Sequence, residues 1–298
     1  MFQKAERKKA RLRLALSGPA GSGKTYSALL IAQGLGGRIA LIDTEHESGS
    51  LYADLCEFDT ASLTPPYTPE KYKNAIQAAE QAGYSVLIID SFSHAWAGEG
   101  GLLDMHDKAA AAMRSGNSFT AWREITPQHN ALVEAVLGAR LHVIATLRTK
   151  TAYDLVDDGN GKKKPVKIGL APVQREGVDY EFTCVFDMSI DSHVATASKD
   201  RTRLFDGKHF TPGIETGQAL MNWLETGIDA DARADAARDA LAERINAIQN
   251  LFEFRNWWKK HQTEIDALPI IDRTIIVNLK DRKKTELEKG EVKDGALV

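Results

Sequence analysis

The feature that most constrains this chain is the run Gly18-Pro19-Ala20-Gly21-Ser22-Gly23-Lys24-Thr25. It reads G-x-x-x-x-G-K-T, the spelling of a loop that cradles phosphate. Glycines let backbone N–H groups turn inward around phosphate oxygens, and a following helix N-terminus adds its partial positive charge. Lys24 is placed to meet the β- and γ-phosphates of a nucleotide, and Thr25 to offer a hydroxyl to Mg²⁺. The flanks agree. Residues 12–17 alternate like a strand, and Tyr26 to Leu35 is apolar at helical spacing. A strand, a glycine loop and a helix commit the surrounding chain to an α/β architecture. Nucleotide contacts are expected from Gly18 through Tyr26, with ATP and Mg²⁺ as the ligands.

At 298 residues the chain has room for one large domain, or for one domain with an appendage. A net charge of −3 excludes a globally basic nucleic-acid binder, so any such site must be a local patch. The two cysteines, Cys56 and Cys184, make neither a disulfide framework nor a metal-ligand spacing. No apolar run is long enough to span a membrane, and the N-terminus lacks a signal-peptide core. These features fit a cytoplasmic protein.

Along the chain, Arg38 to Asp43 reads as a second strand running into Thr44-Glu45-His46-Glu47. Acids at the C-terminal end of a parallel strand, beside a phosphate loop, lie where such sheets bind ligands. A carboxylate there can orient and deprotonate an attacking water. Leu51 to Leu55 reads as a short helix, Phe58 to Leu63 as a strand, and Pro69 to Ala82 as a helix. Val86-Leu87-Ile88-Ile89-Asp90 is a buried strand ending in the carboxylate that completes an Mg²⁺ shell. Residues 92–118 are glycine-rich, with Phe92 and Trp96 expected at the surface and a short helix from Leu102 to Met113.

Residues 119–138 read as a longer helix and Leu141 to Leu147 as a strand, with Arg148 and Lys150 just beyond. The stretch 149–178 reads as a long mobile loop or a hairpin. It carries Lys150, Lys162, Lys163, Lys164, Lys167 and Arg175 against four acids. Such a length is functional or disordered, unless it is simply a solvated hairpin. Strands are expected over 182–190 and 193–198, followed by Lys199-Asp200-Arg201 and a helix over 218–225. From Ile228 onward, apolar residues recur at helical spacing, with a last helix over Asp272 to Lys289. Residues 1–13 read as a basic arm, with Lys4, Arg7, Lys8, Lys9, Arg11 and Arg13 against Glu6.

The strand–loop–helix, the strand ending Ile42-Asp43-Thr44-Glu45-His46, and Leu87-Ile88-Ile89-Asp90-Ser91 together resemble the RecA recombinase core over residues 12–225. The run Gly18 to Leu29 also resembles the GP-x-GSGKT-Y-x-AL pattern of small phage RecA-like ATPases known as single-strand annealing proteins or recombinases. The resemblance implies an α/β P-loop fold: a mostly parallel sheet flanked by helices over 12–227, a basic arm over 1–11, and a helical appendage over 228–298. It implies that Glu45 is the catalytic base and Asp90 the Mg²⁺ aspartate. Thr146 stands where RecA carries a glutamine that senses the γ-phosphate.

Lys199 and Arg201 resemble the basic pair that such proteins project into a neighbour's ATP site. The two stretches 92–118 and 149–178 fall at the DNA loops, so Arg148, Lys150, Lys162, Lys163, Lys164, Lys167 and Arg175 become DNA contacts. Phe2 and Ala5 spell the F-x-x-A by which recombinases from eukaryotes and archaea dock onto the adjacent subunit. The expectation is an ATP-dependent, single-stranded-DNA-binding recombination or annealing protein, assembled as a ring or filament. Further expected partners are a single-strand-binding protein or a recombination nuclease; a membrane is not one. Two rivals share these residues: a hexameric helicase-type motor, and a non-catalytic nucleotide-bound scaffold that recruits partners through 228–298.

Overall fold

The structure is a computed structural model that describes residues 9–113, 118–157, 163–227 and 230–294. Ala10–Thr226 form one compact unit, and the chain from Gly227 onward belongs to a second. The first unit opens with β1 (Arg13–Gly18), which leads through the glycine loop into α1 (Lys24–Leu35). β2 (Ile39–Asp43), a 3-10 turn (Ser48–Tyr52) and β3 (Asp59–Ser62) follow, then α2 (Pro69–Gln81) and β4 (Val86–Asp90). α3 (Ser93–Ala97), α4 (Leu102–Ala112) and α5 (Ser118–Gly138) precede β5 (His142–Asp157), which folds back as β6 (Lys163–Pro172). A 3-10 turn (Val178–Glu181), β7 (Cys184–Met188), β8 (Ala195–Asp200), β9 (His209–Phe210) and α6 (Ile214–Glu225) complete it.

Among the described residues the strands make a nine-stranded sheet in the order β3-β2-β4-β5-β1-β7-β8-β9, with β6 paired to β5. The β3-to-β7 part is parallel; β8, β9 and β6 join antiparallel. The parallel strands are apolar on both faces because both faces are covered. Leu12, Leu14 and Leu16 pack with α1 and α6 on one side. Ala15, Val143, Ala145 and Leu147 pack with α2 and α5 on the other. α1 and α6 cross at Gly34 and Gly217. A Cβ at either glycine would come within 2.1 Å of a carbonyl oxygen of the other helix, so the crossing needs glycine on both sides.

The fold departs from several of these expectations. Phe92 is not at the surface: it is 1% exposed and sits edge-on to Tyr72. Trp96 is half-buried and stacks on Trp122 of α5 at 5.8 Å. Their glycine-rich neighbourhood hides a helical layer that α5 covers. The stretch after Leu147 is no loose loop: β5 runs on to Asp157 and pairs with β6, so the hairpin reading holds. Arg13 does not belong to a solvated arm. It is 5% exposed and donates to the carbonyls of Leu137 (2.7 Å), Leu141 (2.8 Å), Leu12 (2.9 Å) and Ala139. The C-terminal end of α5 has unpaired carbonyls to offer, and a guanidinium is the group that can gather several at once. Phe2, Ala5 and Lys162 lie outside the described residues.

His142 adds a pH dependence. It is 4% exposed, and its Nδ1 accepts from the Leu12 backbone N–H at 3.0 Å, so the ring is held neutral. Burial first, then Arg11 and Arg13, push it from 6.5 down to about 4. The folded value lies below the unfolded one. The stability it contributes is therefore complete above pH 6.5 and is lost as pH falls toward 4. The loss reaches about 3 kcal/mol at one pKa unit per 1.36 kcal/mol. Urea unfolding of wild type and His142→Gln at pH 7 and 4.5 checks this. Wild type should lose more stability than the variant across that interval; parallel losses would contradict the assignment.

The second unit is helical: α7 (Ala230–Ala247), α8 (Leu251–Asp266) and α9 (Ile270–Asp294). Leu241, Ile245, Leu251, Phe254, Ile265 and Ile276 form its core. Arg238 ties α7 to α9 through Asp272 at 2.9 Å, and Asn250 caps α8 by accepting from the Glu253 N–H at 2.8 Å. Among the described residues, no helix is long and apolar enough to cross a membrane.

Candidate nucleotide site

The site lies at the C-terminal ends of the parallel strands, where α/β sheets bind ligands. β1 delivers the loop Gly18–Thr25 there. Gly21 and Gly23 take φ of +78° and +84°, which a side chain would strain. Gly18 also permits a close approach: a Cβ would lie 2.6 Å from Ser22 Oγ and 2.8 Å from the Met188 carbonyl. The loop thus folds tightly, with the Ser22 N–H donating back to the Pro19 carbonyl at 3.3 Å, and delivers the start of α1 toward an anion. Lys24 Nζ donates to the Pro19 carbonyl at 2.8 Å, across the loop. Burial lowers its pKa, with Asp90 and Glu45 opposing that shift. Tyr26, 42% exposed, stands in the first turn of α1, edge-on to Tyr52.

Asp90 ends β4 two strands away from β1, with β5 between. It is 2% exposed and receives two hydroxyls: Thr25 Oγ1 on Oδ2 and Thr146 Oγ1 on Oδ1, each at 2.5 Å. Burial raises its pKa, and the Thr146 and Thr25 hydroxyls oppose that. Thr146 is fully buried, so its hydroxyl is committed to orienting Asp90. The donor set of Thr25 and Asp90 is all oxygen, one hydroxyl and one carboxylate, which suits a hard cation such as Mg²⁺. These two residues would hold the ion, and it would neutralise charge between β- and γ-phosphates.

The end of β2 is bent to present Glu45. Buried Asp43 accepts from the Glu45 N–H (2.6 Å) and the Gly49 N–H (2.9 Å), and His46 and Glu47 take left-handed backbone angles. Thr44 Oγ1 accepts from the Ser91 N–H at 2.8 Å and sits 2.6 Å from His94 Nδ1, locking this turn to the end of β4. Glu45 lies close enough to Lys24 and Asp90 to influence both electrostatically.

One contact has no signal in the sequence. Arg148, just past the end of the buried part of β5, donates to Glu45 Oε1 from Nε (2.9 Å) and from a terminal nitrogen (2.8 Å). The Arg148 N–H is fixed by Ser93 Oγ at 2.9 Å, and its carbonyl accepts from the Val173 N–H at 2.6 Å. Arg148 therefore stands at the base of the β5–β6 hairpin and at the edge of the phosphate site together. The partners are 103 residues apart in the chain, so no local pattern announces them.

The other basic residues are distributed as follows. Lys150 is exposed near the hairpin base. Arg175 is half-buried, with its guanidinium 5.7 Å over the Trp122 ring. Lys163, Lys164 and Lys167 fall on β6, opposite Asp157, Val156 and Tyr153 of β5. Lys199, on β8, donates to the carbonyls of Asp179 (3.0 Å) and Tyr180, and Arg201 to that of Tyr180 (3.1 Å). The pair does share one face, and within the chain the face meets the carbonyls of a 3-10 turn.

A family model described as AAA domain matches residues 10–213. The chain belongs to that AAA domain family. The matched span covers the phosphate loop, Glu45, Asp90, the hairpin and the Lys199–Arg201 pair, and stops at the start of α6. The AAA domain thus accounts for the P-loop ATPase core and leaves the helical unit outside it. No curated protein matches the chain significantly.

Proposed function

We propose that this AAA-domain chain is an ATP-dependent, single-stranded-DNA-binding recombination or annealing protein of RecA type, working as a ring or filament. The observation that carries the reading is the Glu45–Arg148 pair. It ties the carboxylate best placed to activate water to the base of a lysine-bearing hairpin. A strand bound on the hairpin and a phosphate bound at the loop then act on one ion pair. The chemistry is transfer of a phosphoryl group to water. The residues do little covalent work: Lys24 and the loop position the phosphates, Thr25 and Asp90 hold the ion, and Glu45 takes the proton. Lys199 and Arg201 supply charge to a neighbour's site in this reading, and Phe2 and Ala5 supply an assembly contact.

Steady-state ATP hydrolysis with and without single-stranded DNA tests the proposal. Hydrolysis should rise at least severalfold when the strand is added and should not rise with duplex DNA of equal concentration. Hydrolysis that ignores DNA would leave an ATPase of another purpose, and negligible hydrolysis in both states would point to a scaffold.

A further inference from the structure

A cavity of about 600 Å³ opens beneath the β5–β6 hairpin, on the opposite face of the sheet from α1. The alternation of β1 places it there. Leu14 and Leu16 face α1, whereas Ser17 faces the cavity beside Leu147 and Val185, members of the α2–α5 cluster. The cavity is therefore not the phosphate cradle, although Gly18 borders both.

Two buried polar groups lining it lack a hydrogen bond within the chain: Thr149 Oγ1 and one terminal nitrogen of Arg175. Ser17 is only 3% exposed. Its hydroxyl faces the Asp187 carboxylate and favours that group's charged form. Buried polar groups are nearly always partnered, so Thr149 Oγ1 and the Arg175 nitrogen have bonds that water or a ligand in this space would complete. Leu170, Pro172 and Met188 add apolar surface. The charge of the lining selects among occupants. Asp179, Asp187 and Glu176 stand against Lys150 and Arg175, so an enclosed phosphate meets net repulsion. A neutral planar heterocycle with donors and acceptors on its edge does not.

We infer that this cavity is a nucleobase pocket. The base stacks on Leu170 and Pro172 and presents its edge to Ser17, Thr149 and Asp187. Exposed Lys150 remains at the rim for a backbone. The volume lies in the range of small-molecule sites. Bases of a single strand are recognised in this way, splayed out of the stack and read on their edges, and unstacking costs least when no partner strand must be broken. That the base comes from a DNA strand rests on the proposed function; a free nucleoside has the same chemistry.

The test uses full-length protein with the phosphate loop filled by a non-hydrolysable ATP analogue. A short single strand carrying 2-aminopurine is titrated, following anisotropy for binding and 2-aminopurine emission for unstacking. In parallel, adenosine binding is measured by equilibrium dialysis. The pocket predicts a rise in emission on binding that Thr149→Val diminishes and Leu170→Asp abolishes. It also predicts saturable adenosine binding that Thr149→Val weakens by about threefold to tenfold, the worth of one hydrogen bond. A strand that binds without any rise, with no adenosine binding, overturns the pocket. If no strand binds at all, the proposed function fails. The pocket then stands or falls on adenosine alone: binding sensitive to Thr149→Val supports it, and none overturns it.

Discussion

Glu45→Gln protein should bind ATP as wild type does and hydrolyse it about 10²–10⁴-fold more slowly, the usual cost of losing a positioned general base. The amide keeps the shape of the side chain and can still accept from Arg148 through its oxygen, so the β2 turn, anchored by Asp43, is undisturbed. What disappears is the capacity to take a proton. Binding should survive because the phosphate contacts come from the loop and Lys24, which the substitution leaves in place. Turnover measured under single-turnover conditions, with nucleotide affinity measured separately, separates the two. A variant that hydrolyses at the wild-type rate would remove Glu45 from the chemistry, and attention would pass to the other acids at the end of β2.

Replacing Lys162, Lys163, Lys164 and Lys167 together by alanine should weaken single-stranded DNA binding by more than tenfold at low salt. It should also flatten its salt dependence. Each phosphate neutralised by a lysine releases counterions, with a slope in log–log coordinates of about −0.7 per phosphate on a single strand. Without the four lysines the slope should therefore be shallower by up to about 3. Lys163, Lys164 and Lys167 lie on β6, whose backbone pairing with β5 does not depend on these side chains. Nucleotide binding should be unchanged. Unaltered affinity and slope would make the hairpin an ordinary solvated one and move the DNA surface elsewhere.

The parts of the site that are legible in the sequence are those whose chemistry is contiguous. The phosphate loop needs its glycines, Lys24 and Thr25 within eight positions, and Asp90 needs only the buried strand before it. Glu45 is reachable because acids follow directly on a strand end. Arg148 reads in the sequence as a cation for DNA. Its attachment to Glu45 depends on β5 lying beside β4 and on Ser93 fixing its backbone, which only the folded sheet decides. The same limit explains Arg13 and Phe92. Charge and glycine context describe a residue's neighbours in the chain, whereas most of the carbonyls that gather around Arg13 arrive from the end of α5 and the turn after it, and the ring that faces Phe92 arrives from α2. The hairpin is half-legible: its charge stands out, but the extension of β5 past Leu147 is fixed by pairing with β6 and by no strong local pattern.

In the proposed function, nucleotide at the loop controls the grip on a single strand. The affinity of wild-type protein for a single-stranded oligonucleotide, measured by fluorescence anisotropy at one salt concentration with a non-hydrolysable ATP analogue or with ADP, tests it most directly. Coupled sites differ by about 5–150-fold in affinity between states. A difference in that range is expected, tighter with the ATP analogue; equal affinity in the two states, or no binding in either, would mean that the loop does not govern the strand.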